Sequence, residues 1–84
     1  MDNVEEKVKE VLLEILDVKA EDIVPTATII EDLHATSIDI VEILTALQNA
    51  FDVNITDEEA QKIKTVQDVV DYLRTAIAQK EAKG

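Results

Sequence analysis

The chain has no cysteine and no tryptophan, one proline, Pro25, and one glycine, Gly84. Without cysteine there is no disulfide framework, no thiolate nucleophile and no thiolate-ligated metal. Without an internal glycine there is no glycine-rich loop to cradle a phosphate. Phe51 and Tyr72 are the only aromatic residues, so the core is built almost wholly from Val, Ile, Leu and Ala. Bases are scarce too: 8 Lys and Arg face 19 Asp and Glu, a formal net charge of −11. Such a surface repels nucleic acid and anionic membrane and attracts basic protein surfaces. No apolar run is long enough to span a bilayer. The opening MDNVEEKVKEV is neither a signal peptide nor an arginine-rich transit peptide. A soluble, uncleaved cytoplasmic protein is expected, with no nucleic-acid partner and no membrane insertion.

What is present is helical periodicity. Hydrophobic residues make up 46% of the 84 residues and recur at regular spacing, so the chain folds despite its charge. At this length a single domain, 1–84, is expected, with too little core for a deep active site of several convergent groups. Val4, Val8, Val11, Leu12, Ile15 and Leu16 predict an amphipathic helix over residues 3–17, capped by Asp2 or Asn3. Residues 18–36 have no clean period and read as a long loop. Ile23, Val24, Ile29, Ile30 and Leu33 are its candidate anchors, and Glu21 and Asp22 a candidate turn of helix. Ile40, Leu44, Leu47 and Phe51, flanked by Val41 and Ile43, predict a second helix to about residue 51. Thr56 with Glu59 is a capping-box pattern opening a short third helix that ends near Ile63. Thr65 with Asp68 has related spacing ahead of Val66, Val69, Val70, Leu73 and Ile77, a final helix expected to end before the charged KEAKG tail. The fold class expected is all-α: a four-helix bundle of three longer helices and a short third, with a long loop between helices one and two.

The most informative segment is Leu33-His34-Ala35-Thr36-Ser37-Ile38-Asp39-Ile40-Val41-Glu42, where the loop meets the second helix. Thr36 and Asp39 have capping-box spacing. Ser37 then occupies the first helical position, its hydroxyl spare and directed at the positive end of the dipole, where a phosphate ester is favoured. On local grounds alone the stronger reading is that Ser37 or Thr36 is a plain cap, since caps of this kind start most helices. Asp32, His34 and Ser37 are the residue types of a hydrolase triad, but they crowd into six residues with no oxyanion loop. His34 reads instead as a loop residue near Ser37, within reach of a phosphate attached there. Asp52, Asn54 and Thr56 begin an EF-hand-like spacing that fails at Asp57 and Ile63, so no defined metal site is expected.

Across nearly the whole chain the sequence resembles the acyl carrier proteins of fatty acid and polyketide synthesis. Thr36-Ser37-Ile38 stands where that family commonly has Asp-Ser-Leu, followed by Asp39-Ile40-Val41-Glu42. Phe51-Asp52-Val53-Asn54-Ile55, Thr56 to Ile63, and Thr65-Val66-Gln67-Asp68 with Asp71-Tyr72-Leu73 continue the likeness. The resemblance implies that a phosphopantetheinyl transferase, with Mg²⁺ and coenzyme A, joins a 4'-phosphopantetheine arm to Ser37, with Thr36 and Ile38 beside it. The arm's thiol would carry the acyl group and the protein itself would catalyse nothing, in keeping with the absence of any base paired to Ser37. It implies partner enzymes whose basic patches read Asp39, Glu42, Asp57, Glu58 and Glu59, and a core able to shelter an acyl chain, with Ile43, Leu47, Ile63 and Val69 as candidate lining. A monomer is expected.

Two rivals stand beside this reading. A carrier of aminoacyl or D-alanyl cargo usually has a Gly-Gly-x-Ser approach, which is absent here. An unmodified acidic adaptor would keep the fold and bind partners by its helix faces. The residue before the serine, Thr36, and the far end of helix two, Gln48-Asn49-Ala50, carry less negative charge than typical fatty-acid carriers, which points to a specialised lipid, fatty acid or polyketide pathway.

The net charge of −11 makes one prediction independent of family. Self-repulsion among the acids is screened by salt and neutralised by divalent cations. Added NaCl or Mg²⁺ should raise the melting temperature measured by circular dichroism; an unchanged midpoint from low to moderate salt would contradict it.

Overall fold

Val8, Val11, Leu12 and Leu16 are all buried, and burying one face along Asn3–Ile15 is what makes this segment helix α1. The computed structural model describes residues 3–83, with side chains as far as Lys80. Helix α2 runs Ser37–Phe51, the short α3 Asp57–Lys62, and α4 Val66–Lys83, which gives the expected all-α four-helix bundle. Helix α1 packs on both α2 and α4. Leu12, Leu47 and Leu73, one from each long helix, are fully buried. Each contributes roughly 1.5–3 kcal/mol of transfer free energy.

Several expectations are corrected at the edges. Helix α1 is regular only to Ile15, with Leu16 N–H donating to the Leu12 carbonyl at 2.8 Å as its last turn. Asn3 lies inside α1 and is no cap, and Asp2 lies outside the described residues. Helix α4 does not stop before the charged tail but continues to Lys83. Its last residues are strong helix formers, and Lys80 is tied down, its ammonium 2.6 Å from the Asp52 carboxylate and 3.0 Å from the Asp52 carbonyl. Asp52 closes α2 in the left-handed conformation, so this cation sits at the negative end of the α2 dipole.

The long first loop is held by backbone bonds that hydrophobic pattern does not reveal. Ile29 N–H donates to the Lys64 carbonyl at 2.9 Å, Val66 N–H to Ala27 at 3.0 Å and Gln67 N–H to Pro25 at 3.0 Å. Thr28 and Thr65 thereby form an isolated antiparallel bridge. Ile23, Ile29 and Leu33 anchor the loop in the core, joined by Ala27 and Ala35. Val24 and Ile30 do not: they are 44% and 63% exposed, because the turns that bury their neighbours point them outward. Glu21 and Asp22 do form a helical turn, a 3-10 turn at Ala20–Asp22.

Helix α3 buries no residue of its own and is fastened at its ends. Thr56 caps it, accepting from Glu59 N–H at 3.2 Å. Gln48 Oε1 accepts from Ile55 N–H at 3.0 Å, and the Tyr72 hydroxyl donates to the Asn54 carbonyl at 3.2 Å, with the Glu59 carboxylate a second acceptor for the same proton. Burial first, and then the neighbouring Glu59 carboxylate, push the Tyr72 phenol up to about 12. Folding thus favours the protonated phenol. That stabilisation is complete below about pH 10, where an unfolded tyrosine ionises, and is lost as pH rises towards the folded value. Tyr72 is the only tyrosine, so its ultraviolet titration is uncontaminated. The phenolate absorbance should titrate near 12 in the folded protein, and Tyr72→Phe should lose less stability than wild type between about pH 10 and 12; an ordinary midpoint would refute this anchoring of α3.

Candidate functional site

The start of α2 is built by a reciprocal cap. Thr36 Oγ1 accepts from Asp39 N–H at 3.2 Å, and Asp39 Oδ2 accepts from Thr36 N–H at 3.0 Å. Thr36 has extended backbone, φ −88° and ψ 173°, and Ser37 is the first helical residue, exposed. Because Thr36 makes the cap, the Ser37 hydroxyl is spared, while the amides of the first turn present their positive end nearby. Ile38 follows it, 71% exposed.

Upstream, Asp32 closes a turn rather than serving a triad. Its Oδ2 accepts from Thr28 N–H at 2.8 Å and Thr28 Oγ1 at 2.9 Å. These two bonds, and more weakly the charge of His34, hold its carboxyl below the usual range. The EF-hand-like residues are likewise engaged elsewhere, Asp52 with Lys80 and Thr56 in the cap of α3.

A groove of about 970 Å³ opens beside Ser37. One wall is Ile40, Val41 and Leu44 of α2; the other is Ile29 and Ile30 of the loop with Ala60 and Ile63 at α3. Of the four residues named as acyl lining, Ile63 lies in this groove. Ile43, Leu47 and Val69 lie beneath it in the core, 2%, 0% and 2% exposed. The groove residues that sequence reasoning missed had a signal: Ile40 and Leu44 form one apolar edge of α2 and Ile43 and Leu47 another. An apolar arc wider than one packing face needs two partners. Here the second edge faces the groove and not α1.

The five acids placed on the partner surface divide into two kinds. Glu42, Asp57 and Glu58 are exposed. Asp39 and Glu59 are half-buried and hold structure: Asp39 completes the α2 cap, and Glu59, whose carboxyl is lowered by Tyr72 and then Thr56, braces α3. Sequence reasoning did not identify the exposed apolar group of Ile30, Ile38 and Val41 around Ser37. Scattered surface apolar residues are ordinary, but Ile30 and Val41 line the groove and Ile38 is exposed next to Ser37 in the chain, so the three gather apolar surface at this end of the molecule.

Residues 6–73 match the family model of the phosphopantetheine attachment site. The chain is 45% identical over 73 residues to the acyl carrier protein of Buchnera aphidicola subsp. Schizaphis graminum, an alignment covering 87% of this chain and 92% of that one. Among solved structures it is similar to the acyl carrier protein from Enterococcus faecalis, with TM-score 0.76, 34% identity, and 87% and 92% of the two chains covered. The exposed serine at a helix start, beside an apolar groove, suits a covalently held phosphate ester and a flexible arm. The chain belongs to the acyl carrier protein family: it is a non-catalytic carrier with a covalently attached 4'-phosphopantetheine. No helix among the described residues is long and apolar enough to cross a membrane.

The division of labour between Thr36 and Ser37 is testable in the unmodified protein. Thr36→Ala should destabilise by about 1 kcal/mol through loss of the cap, Thr36→Ser should retain it, and Ser37→Ala should stay within about 0.5 kcal/mol of wild type. Urea denaturation followed by circular dichroism reads all three; a larger loss in Ser37→Ala than in Thr36→Ala would reverse the assignment.

Proposed function

We propose that Ser37 is the attachment point of the arm and that the groove beside it shelters the acyl chain the arm carries. The observation carrying this is the Thr36–Asp39 box, which leaves an uncommitted hydroxyl at the mouth of an apolar groove. In the transferase reaction the Ser37 hydroxyl oxygen attacks the phosphorus of coenzyme A that bears pantetheine. It loses its proton, displaces adenosine 3',5'-bisphosphate and becomes a phosphodiester. Among the described residues no base is hydrogen-bonded to the Ser37 hydroxyl, so the transferase would supply one. Ile40, Val41, Leu44 and Ile63 then remove hydrocarbon from water at roughly 0.8 kcal/mol per methylene buried.

Partner enzymes with basic patches meet Glu42, Asp57 and Glu58, which steer encounter in a salt-dependent way, while Ile38 and Val41 give the docked complex an apolar contact. The carrier works as a monomer in the cytoplasm, in a dedicated lipid, fatty acid or polyketide pathway. Thr36, Gln48, Asn49 and Ala50 support the specialised reading, since general fatty-acid carriers are more acidic there. Gln48 is also spent on Ile55, so its change is structural as well as electrostatic.

Incubation with coenzyme A and a broad-specificity transferase should add one phosphopantetheine to wild type and none to Ser37→Ala, by intact mass. Modification persisting in Ser37→Ala would move the site. On the modified protein, Thr36→Asp with Asn49→Glu should raise kcat/KM for general fatty acid synthase enzymes about tenfold, since each exposed ion pair is worth up to about 1 kcal/mol. Equal turnover of wild type, variant and an ordinary carrier would rule out specialisation through this surface.

A further inference from the structure

Two residues other than glycine take positive φ among the described residues, Asp52 at 52° and His34 at 59°. Asp52 has its reason in the end of α2 and the Lys80 ammonium. His34 owes its own to the backbone on either side and not to any hydrogen bond of its imidazole. It is exposed, and no hydrogen bond or ion pair of its imidazole occurs among the described residues. Its conformation is imposed from both sides. Leu33 N–H donates to Thr28 and Ala35 N–H to Ile29, each at 3.1 Å, and the side chains of Leu33 and Ala35 are buried. Glycine would adopt this geometry without steric cost, whereas a side chain here is strained and the imidazole gains in return only a weak electrostatic attraction to Asp32. Strain retained at an exposed position next to a modification site points to a role there.

The charge pattern indicates which role. From Ala20 to Gln61 there is no lysine or arginine, and this stretch includes Ser37, Glu31, Asp32, Asp39 and Glu42. A phosphodiester on Ser37 adds another negative charge to it, and His34 is the one basic side chain in the stretch. Three residues separate Cα atoms by at most about 11 Å, a span that an imidazole and a serine-linked phosphate bridge from its two ends. Ala35 turned into the core leaves His34 and Thr36 on the outer side with Ser37.

Resting on the assignment of Ser37 as the attachment point, we propose that His34 is a positioning residue for the arm: its protonated imidazole donates a hydrogen bond to a non-bridging oxygen of the Ser37 phosphodiester and holds the root of the arm against α2. The surrounding charged groups are Glu31 and Asp32 on its own loop, Asp39 and Glu42 on α2, Asp57 on α3, and Lys64 on the groove rim. Imidazole is the side-chain type that changes charge between pH 5 and 8, a range outside which carboxylates and lysines ordinarily titrate. The root of the arm is held at the acid end of the range and released at the alkaline end.

His34 is the only histidine, so imidazole NMR from pH 5 to 8 reads it alone, with and without the arm, while the ³¹P resonance of the arm is followed in parallel. Modification should raise the imidazole midpoint by about half a unit, and the ³¹P shift should titrate with that same midpoint. His34→Gln and His34→Gly should both flatten the ³¹P titration, although His34→Gly raises the melting temperature by relieving the positive φ. An imidazole midpoint identical with and without the arm, or a ³¹P titration surviving in both variants, overturns the role of His34. Modification persisting in Ser37→Ala overturns instead the assignment of Ser37, which separates the two failures.

Discussion

Everything at the functional end of this molecule depends on the short backbone ladder between the first loop and the start of α4. Ile29 to Lys64, Ala27 to Val66 and Pro25 to Gln67 turn a long irregular segment into a fixed wall. An unpaired loop here would bury backbone groups without partners, which is costly enough to be avoided. With the ladder in place, Ile29, Leu33 and Ala35 seat in the core, and the chain arrives at Thr36 extended and in register to cap α2. The position of Ser37 at the groove mouth follows from that arrival.

The acidic surface does two physically different jobs. Asp32, Asp39, Glu59 and Asp68 accept hydrogen bonds from backbone amides or hydroxyls at turns and helix starts. Where these bonds hold a carboxyl below its ordinary range, as Thr28 does for Asp32, Tyr72 and Thr56 for Glu59, and Thr65 and Lys64 for Asp68, the ionised form favours folding. Their contribution is full above about pH 4 and is lost as pH falls through the lowered folded values. Glu42, Asp57 and Glu58 make no such bond among the described residues; they add mutual repulsion, and the proposed function assigns them to partners.

Helix α2 works on two faces at once. One edge, Ile43 and Leu47, meets α1 and the core, and the adjacent edge, Ile40 and Leu44, lines the groove with the loop and α3. Helix α3 has no fully buried residue and is held by its cap, by the Glu59–Tyr72 bond and by the partly buried Ala60, which makes it the least anchored wall. Local stability scales with such contacts, so the groove is bounded on one side by a rigid helix and on the other by a segment able to shift.

Periodicity alone determined the helices, because spacing of apolar residues at three and four is a local property and capping residues sit within four positions of the amides they serve. The Thr36, Thr56 and Thr65 caps, the 3-10 turn at Asp22 and the exposed Ser37 were all legible in this way. Only the tertiary structure decided what non-neighbours impose. It decided that Ile30 and Val24 face outward while Ala27 and Ala35 face in, and that α4 is prolonged past Lys80 by Asp52. It also decided that Ile40 and Leu44 line the surface groove while Ile43 and Leu47 sit in the core, and that His34 is forced to positive φ. Each of these depends on a hydrogen bond or a packing face supplied from elsewhere in the chain, and no local pattern of residues carries that information.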